Sequence, residues 1–141
     1  MTEKYSTCII VINPKTGKLL TVSRKDNHQD FGLSGGKQEI GETPKQCAVR
    51  ELKEETGLIA LEEDLVEVYS CKARTSICTA FYATKYSGEI NPSPNEGVVV
   101  WADWDTIMDE ATTFHAYNRG LHKAFKELTT KRNNINDITK K

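Results

Sequence analysis

This sequence predicts an α/β fold, with strands on both sides of one well-marked helix and a second long helix near the end. Three observations predict it. Short runs rich in β-branched and apolar residues lie between Gly, Pro and Asn clusters. A segment beginning at Pro44 carries helix signals at both ends. The last third places apolar residues at helical spacing.

The elements follow in order. Residues 7–12 and 19–23 read as two strands, joined by the turn cluster Asn13-Pro14-Lys15-Thr16-Gly17. Residues 26–30 read as polar loop. Phe31-Gly32-Leu33-Ser34-Gly35-Gly36 is punctuated by glycine and should follow a special backbone path. Thr43 can cap the helix 44–56, Pro44 suits its first position, and Gln46 completes a capping box. Gly57 stands where a left-handed C-terminal cap is needed. Ala48, Val49 and Leu52 form the apolar stripe of this helix. Residues 65–71, 77–86 and 97–101 are strand-like in composition. Residues 104–111 suggest a short helix capped by Asp103. Residues 116–128 suggest a longer one, with Leu121, Ala124, Phe125 and Leu128 on one side. One domain over residues 1–130 is expected, with 131–141 a polar, flexible tail.

Composition excludes several classes. Across 141 residues, 19 Lys+Arg face 20 Asp+Glu, so no strong basic field exists to hold a long nucleic acid. The longest apolar run is Cys8–Ile12, far short of the ~20 residues of a membrane helix. Met1-Thr2-Glu3-Lys4-Tyr5 shows no secretory signal pattern. Cys8, Cys47, Cys71 and Cys78 include no C-x-x-C pair, which argues for reduced thiols and a cytoplasmic setting.

The chemistry concentrates on the helix at 44–56. Glu51, Glu54 and Glu55 are spaced by three and four, which gathers three carboxylates on one face. At ~100° per residue that face lies about 110° from the apolar stripe, at the edge of a cleft. Like charges so placed destabilise a helix and raise one another's pKa. A hard divalent cation such as Mg²⁺ relieves both effects. A solvated acidic face balanced by Lys45, Arg50 and Lys53 is the plainer alternative.

The context decides between them. Gly36, five residues, Glu42, seven residues, Arg50-Glu51-Leu52, one residue, Glu54-Glu55, one residue and Gly57-Leu58 resemble the Nudix box in full. From average residue frequencies, chance agreement is on the order of 10⁻¹⁰ per starting position. The resemblance implies an α/β/α sandwich, with a mixed sheet between the box helix and the C-terminal helix. It also implies hydrolysis of a diphosphate linkage in a nucleotide, with Mg²⁺ as cofactor and Mn²⁺ as a substitute.

Roles follow from the same resemblance. Glu51, Glu54, Glu55, the Gly35 carbonyl and Glu96 are the implied metal ligands. Glu54, Glu55, Glu96 and Arg50 form the implied catalytic group. Within it Arg50 reads as a structural bridge to Glu42, because its planar fork suits a carboxylate. The base that takes the water's proton is either a box glutamate or Glu96, which a plain loop carboxylate would equally explain.

Substrate markers lie outside the box. The surroundings of Gly35–Pro44 resemble MutT-type nucleoside triphosphate pyrophosphohydrolases, which release a monophosphate and pyrophosphate. Arg24 falls where these have a basic residue near the phosphates. Phe114-His115-Ala116-Tyr117-Asn118 resembles their segment before the last helix, making Asn118 the candidate nucleobase reader. A plain helix-start asparagine is the competing reading. Leu33 would line the base side and Lys37 would face phosphate or solvent. Ser34 and Phe31 depart from the family's usual proline and tryptophan. His28, His115 and His122 read as surface or packing residues, and Phe81, Trp101 and Trp104 as core. Alternatives are cleavage of ADP-ribose or a dinucleoside polyphosphate, action on capped RNA ends, and a non-catalytic nucleotide sensor. The expected partner is a small nucleotide, with no membrane, and the chain a monomer or homodimer.

Overall fold

The computed structural model describes residues 4–139. Strands β1 (Tyr5–Ile10), β2 (Leu19–Arg24), β3 (Asn27–Gly32) and β4 (Ser34–Lys37) precede α1 (Pro44–Thr56). Then come β5 (Leu65–Ala73), β6 (Ser76–Ala83), β7 (Val99–Ala102), α2 (Trp104–Met108) and α3 (His115–Thr139). The strands form two sheets. One is mixed, in the order β4-β1-β6-β5, with β1 parallel to β6 and the other pairs antiparallel. The second, β3-β2-β7, is antiparallel.

Alternation along β1 builds the sandwich, because successive strand side chains point to opposite faces. Cys8 and Ile10 pack with Leu19, Tyr117, Leu121 and Phe125, on the α3 side. Ile9 and Val11 pack with Leu20, Ala48, Leu52 and Phe81, on the α1 side. The mixed sheet therefore lies between α1 and α3. Trp101 and Trp104 are half-buried against the two clusters, and Trp104 stacks on His122 at 4.6 Å. The cysteines are free, with only Cys71 exposed. Among the described residues, no helix is long and apolar enough to cross a membrane.

Helix α1 forms between the two written caps. Thr43 accepts from the Gln46 backbone, the Gln46 side chain accepts from the Thr43 backbone, and Gly57 adopts φ 84°. Its buried residues are Cys47, Ala48, Leu52 and Thr56. Val49, expected in the stripe, is only half-buried. The buried stripe is thus turned toward Cys47, and the carboxylate face stands closer to the sheet than expected.

Other elements differ from the expectation for physical reasons. Residues 27–30, expected as loop, belong to β3. This is an edge strand whose Asn27, His28 and Gln29 face solvent, so no apolar alternation marks it. Its buried Asp30 accepts hydrogen bonds from the Thr113 backbone and hydroxyl. Gly35 and Gly36 lie in β4 without positive φ. Their role is close approach: a Cβ on Gly35 would overlap the Thr7 carbonyl. Asp103 does not cap α2 with its side chain; its carboxylate instead takes Lys18 at 2.8 Å. Helix α3 runs on through the polar stretch expected as a flexible tail, as far as Thr139; residues 140–141 lie outside the described residues.

Candidate active site

The site has two parts that meet at β4. On one side stand the carboxylates of α1. Arg50 organises them. Its guanidinium grips Glu42 with two hydrogen bonds, Nε to Oε2 at 2.6 Å and Nη2 to Oε1 at 3.0 Å. Nη1 reaches Glu51 at 2.8 Å and Glu54 at 3.3 Å, and Nη2 also donates to the Lys37 carbonyl at 3.2 Å. The bidentate pair holds the Glu42 carboxyl down at about 2. Arg50 thus ties the loop before α1 to two of the box glutamates.

Glu55 turns inward toward β4. Its Oε1 accepts from the Ser34 hydroxyl at 2.7 Å and the Gly35 backbone N–H at 2.8 Å. Ser34, the departure from the family pattern, therefore holds a box carboxylate. Burial pushes Glu55 up to about 8, against the pull of Ser34, and the charges of Glu51 and Glu96 push the same way. Burial likewise raises Glu51. Glu51 also packs on Gly36, where a Cβ would stand 2.6 Å from its carboxyl carbon.

Glu96, far away in sequence, enters this group from the loop before β7. The fold brings it near enough for its charge to act on both Glu51 and Glu55. One of its oxygens lies 3.4 Å from Lys25. The other, Oε2, is buried with no hydrogen-bond partner among the described residues. Gly97 makes this placement possible, because it packs directly on the Ser23 backbone, where no Cβ would fit.

These residues fit a divalent cation in chemistry. They are hard oxygen donors, mutually repelling, with one buried carboxylate oxygen left unsatisfied. As they stand, no three ligating side chains among the described residues converge to metal spacing. The positive charge between Glu51 and Glu54 is that of Arg50.

On the other face of the mixed sheet, toward α3, opens a cavity of about 410 Å³. Arg24, Leu33, Gly35, Lys37 and Asn118 all line it, so the residues expected to meet substrate share one space. Asn118 is buried, and its Nδ2 donates to the Ile107 carbonyl at 3.0 Å. That bond fixes the carboxamide and leaves Oδ1 as its free acceptor, since Oδ1 has no partner among the described residues. Arg24 carries a weak surface partner, Asp26, at 3.2 Å. His28 is exposed and outside the cavity.

The sequence reading missed part of the lining: Ser6, Cys8, Ser76, Cys78, Phe114, Tyr117 and Arg74. A usable signal existed for the floor. Ser6 and Cys8, like Ser76 and Cys78, are polar or thiol residues two apart in strand sequence, so each pair shares one sheet face. Arg74 had no local signal, because only the β5–β6 turn brings it there.

Residues 2–125 match the family model for the NUDIX domain. Over 62 residues the chain is 47% identical to an ADP-ribose pyrophosphatase of Methanocaldococcus jannaschii, a match covering 43% of this chain and 37% of that protein. Over 76 residues it is 37% identical to an 8-oxo-dGTP diphosphatase of Haemophilus influenzae, covering 51% of this chain and 55% of that one. The aligned stretches thus span about half or less of these relatives. A solved MutT structure, from work on Aliivibrio salmonicida and Vibrio cholerae, superposes with a TM-score of 0.70 at 18% identity, over 89% of this chain and 99% of that one. That likeness is one of fold.

Proposed function

The chain belongs to the NUDIX family; we propose that it is a hydrolase acting on acid anhydrides, cleaving a nucleoside triphosphate to a monophosphate and pyrophosphate. One observation carries the reading. The carboxylate group of α1 and Glu96 meets, at Gly35, a cavity large enough for a nucleoside and lined by Arg24, Lys37 and Asn118.

Glu51, Glu54, Glu55, Glu96 and the Gly35 carbonyl would hold a divalent cation, Mg²⁺ or Mn²⁺ in its place. When bound, that ion supplies charge screening on the diphosphate and lowers the pKa of a water. The chain's own residues do the rest. Arg50 is a positioning residue that holds Glu51 and Glu54 against Glu42. Ser34 and the Gly35 N–H fix Glu55 in one rotamer. Glu55 or Glu96 receives the proton of the attacking water. Arg24 and Lys37 bind phosphate oxygens, and the Asn118 Oδ1 accepts an N–H of the base. Leu33 and Phe114 supply apolar contact to the ring.

A second reading, cleavage of ADP-ribose, draws on the relative from Methanocaldococcus jannaschii. A release assay separates the two. Common and oxidised nucleoside triphosphates, ADP-ribose, a dinucleoside polyphosphate and NADH are incubated with Mg²⁺ and coupled to pyrophosphatase and phosphatase, with EDTA controls. EDTA-sensitive turnover strongest on a triphosphate is expected. Preferred turnover of ADP-ribose would replace the triphosphate reading and retain the metal site.

A further inference from the structure

Helix α1 ends, like any helix, with carbonyl groups that no N–H of the helix can reach. The Gly57 N–H takes the Lys53 carbonyl at 2.9 Å. The Leu58 N–H, which would otherwise serve Glu54, donates instead to the Thr56 hydroxyl at 3.0 Å. Two carbonyls are met from outside the helix. The Asn91 N–H donates to the Thr56 carbonyl at 2.7 Å, and the Ser93 N–H donates to the Glu54 carbonyl at 2.9 Å. The segment between β6 and β7 thus caps the end of the helix that carries the carboxylates.

The same segment delivers Glu96. The Glu96 N–H donates back to the Ser93 carbonyl at 3.3 Å, which closes the four-residue turn Ser93-Pro94-Asn95-Glu96. Pro94 stands at its second position, where a φ of about −65° is wanted. Asn95 stands at its third position with φ 69°. That is the pattern of a type II turn, whose third position favours glycine or asparagine. Ser93 therefore works in both directions: its N–H holds the backbone of Glu54, and its carbonyl holds the backbone of Glu96.

Beyond Glu96 the chain is fastened again. The Val98 N–H donates to the Ser23 hydroxyl at 2.8 Å, and the Ser23 N–H donates to the Val98 carbonyl at 2.9 Å. Glu96 is half-buried between these anchors, whereas residues 91–95 are exposed. An exposed loop has little packing to fix its path. Here the dihedrals of the turn and its bond to α1 fix it instead.

We propose that the turn Ser93–Glu96 is a rigid strut between α1 and the Glu96 carboxylate, with Asn95 as its positioning residue. The inference rests on the reading of Glu96 as a cation ligand. On a free loop, Glu96 would have to be ordered at each binding event, at the expense of affinity. The strut spares that ordering, because it refers Glu96 to the helix that already carries Glu51, Glu54 and Glu55. Asn95 acts through the backbone alone: what the turn requires of it is the positive φ.

Manganese binding tests this without turnover. Mn²⁺ alone is titrated into the full chain, and the free ion is read from its electron paramagnetic resonance signal. The chains are the wild type, Asn95→Val, Asn95→Gly, Glu96→Gln, and Asn95→Val combined with Glu96→Gln, with circular dichroism as the folding control. A β-branched residue resists the left-handed region, so Asn95→Val should weaken Mn²⁺ roughly tenfold, as loss of a group that orients a ligand does. Glycine accepts that φ, so Asn95→Gly should stay within about twofold of the wild type. Glu96→Gln should weaken Mn²⁺ roughly tenfold or more, and adding Asn95→Val to it should cost less than about twofold further. Wild-type affinity in Asn95→Val beside a weakened Glu96→Gln would overturn the strut and leave the ligand reading standing. Equal loss in Asn95→Gly would also overturn it, since the side chain rather than the φ would be at work. So would a full further loss in the double variant, because Asn95 would then act through something other than Glu96. Wild-type affinity in Glu96→Gln, or no Mn²⁺ binding to the wild type, would overturn the strut and the ligand reading together.

Discussion

At the scale of single residues, environment separates chemically identical side chains. Glu42 and Glu55 are both carboxylates near β4, yet one sits at about 2 and the other at about 8. A bidentate guanidinium explains the first, and burial among like charges explains the second. Glu54→Gln or Glu55→Gln should lower turnover by roughly 10²-fold or more with the fold retained, since each would remove a charged donor from the cation site. Steady-state kinetics with circular dichroism as the folding control measures this, and near wild-type rates in both would refute the ligand assignment. Asn118 makes a different prediction. Because Nδ2 is committed to Ile107, Asn118→Ala should change the ranking among bases more than the rate on the best one. Competition between two triphosphates reads it, and a uniform loss on every base would remove Asn118 as a reader.

At the scale of elements, α1 shows what local sequence can specify. Thr43, Pro44, Gln46 and Gly57 mark its ends, and each takes the expected position. Thr43→Ala should cost about 1 kcal/mol, the usual worth of such a cap. Gly57→Ala should cost more, roughly 1–3 kcal/mol, because its left-handed φ is joined by a Cβ only 2.6 Å from Asn91 backbone atoms. Urea unfolding of both variants tests the order, and a smaller effect at Gly57 would contradict it. Strand β3 shows the opposite case. Its polar, solvent-facing residues carry no period, and only pairing with β2 makes it a strand. Asp30 within it reads as an ordinary loop acid until its bond to Thr113 ties β3 to the segment leading into α3.

At the scale of the whole molecule, the Arg50–Glu42 pair links the box loop to the helix and should govern part of the acid stability. The Glu42 carboxyl is depressed from its ordinary 4.5 to about 2 in the folded chain. Its contribution is therefore fully present above about pH 4.5 and is lost as pH falls through about 2. Glu42→Gln should be less stable than wild type at neutral pH, with the gap closing between those two values. Denaturant melts at stepped pH test this, and a gap that persists unchanged at pH 2 would assign the loss to packing instead. The sandwich itself depends on side chains from both chain ends. Leu121 is fully buried against β1 and β6 residues, and Leu121→Ala should cost about 2–5 kcal/mol.

Helix α1, its caps, the carboxylate spacing on one face and the strand-rich halves around it were legible in the residues alone. These are short-range features, set by backbone sterics and residue spacing within a few turns. The rest waited on long-range packing. The fold brought Glu96 across from a distant loop and left its Oε2 buried without a partner among the described residues. It turned the polar sides of β1 and β6 into the floor of a cavity, and it brought Lys37 of β4 and Arg74 of the β5–β6 turn into the same lining. Such meetings depend on strand order and register, which join residues tens of positions apart. No local pattern encodes them, because the energy that fixes register comes from the core on both faces of the sheet.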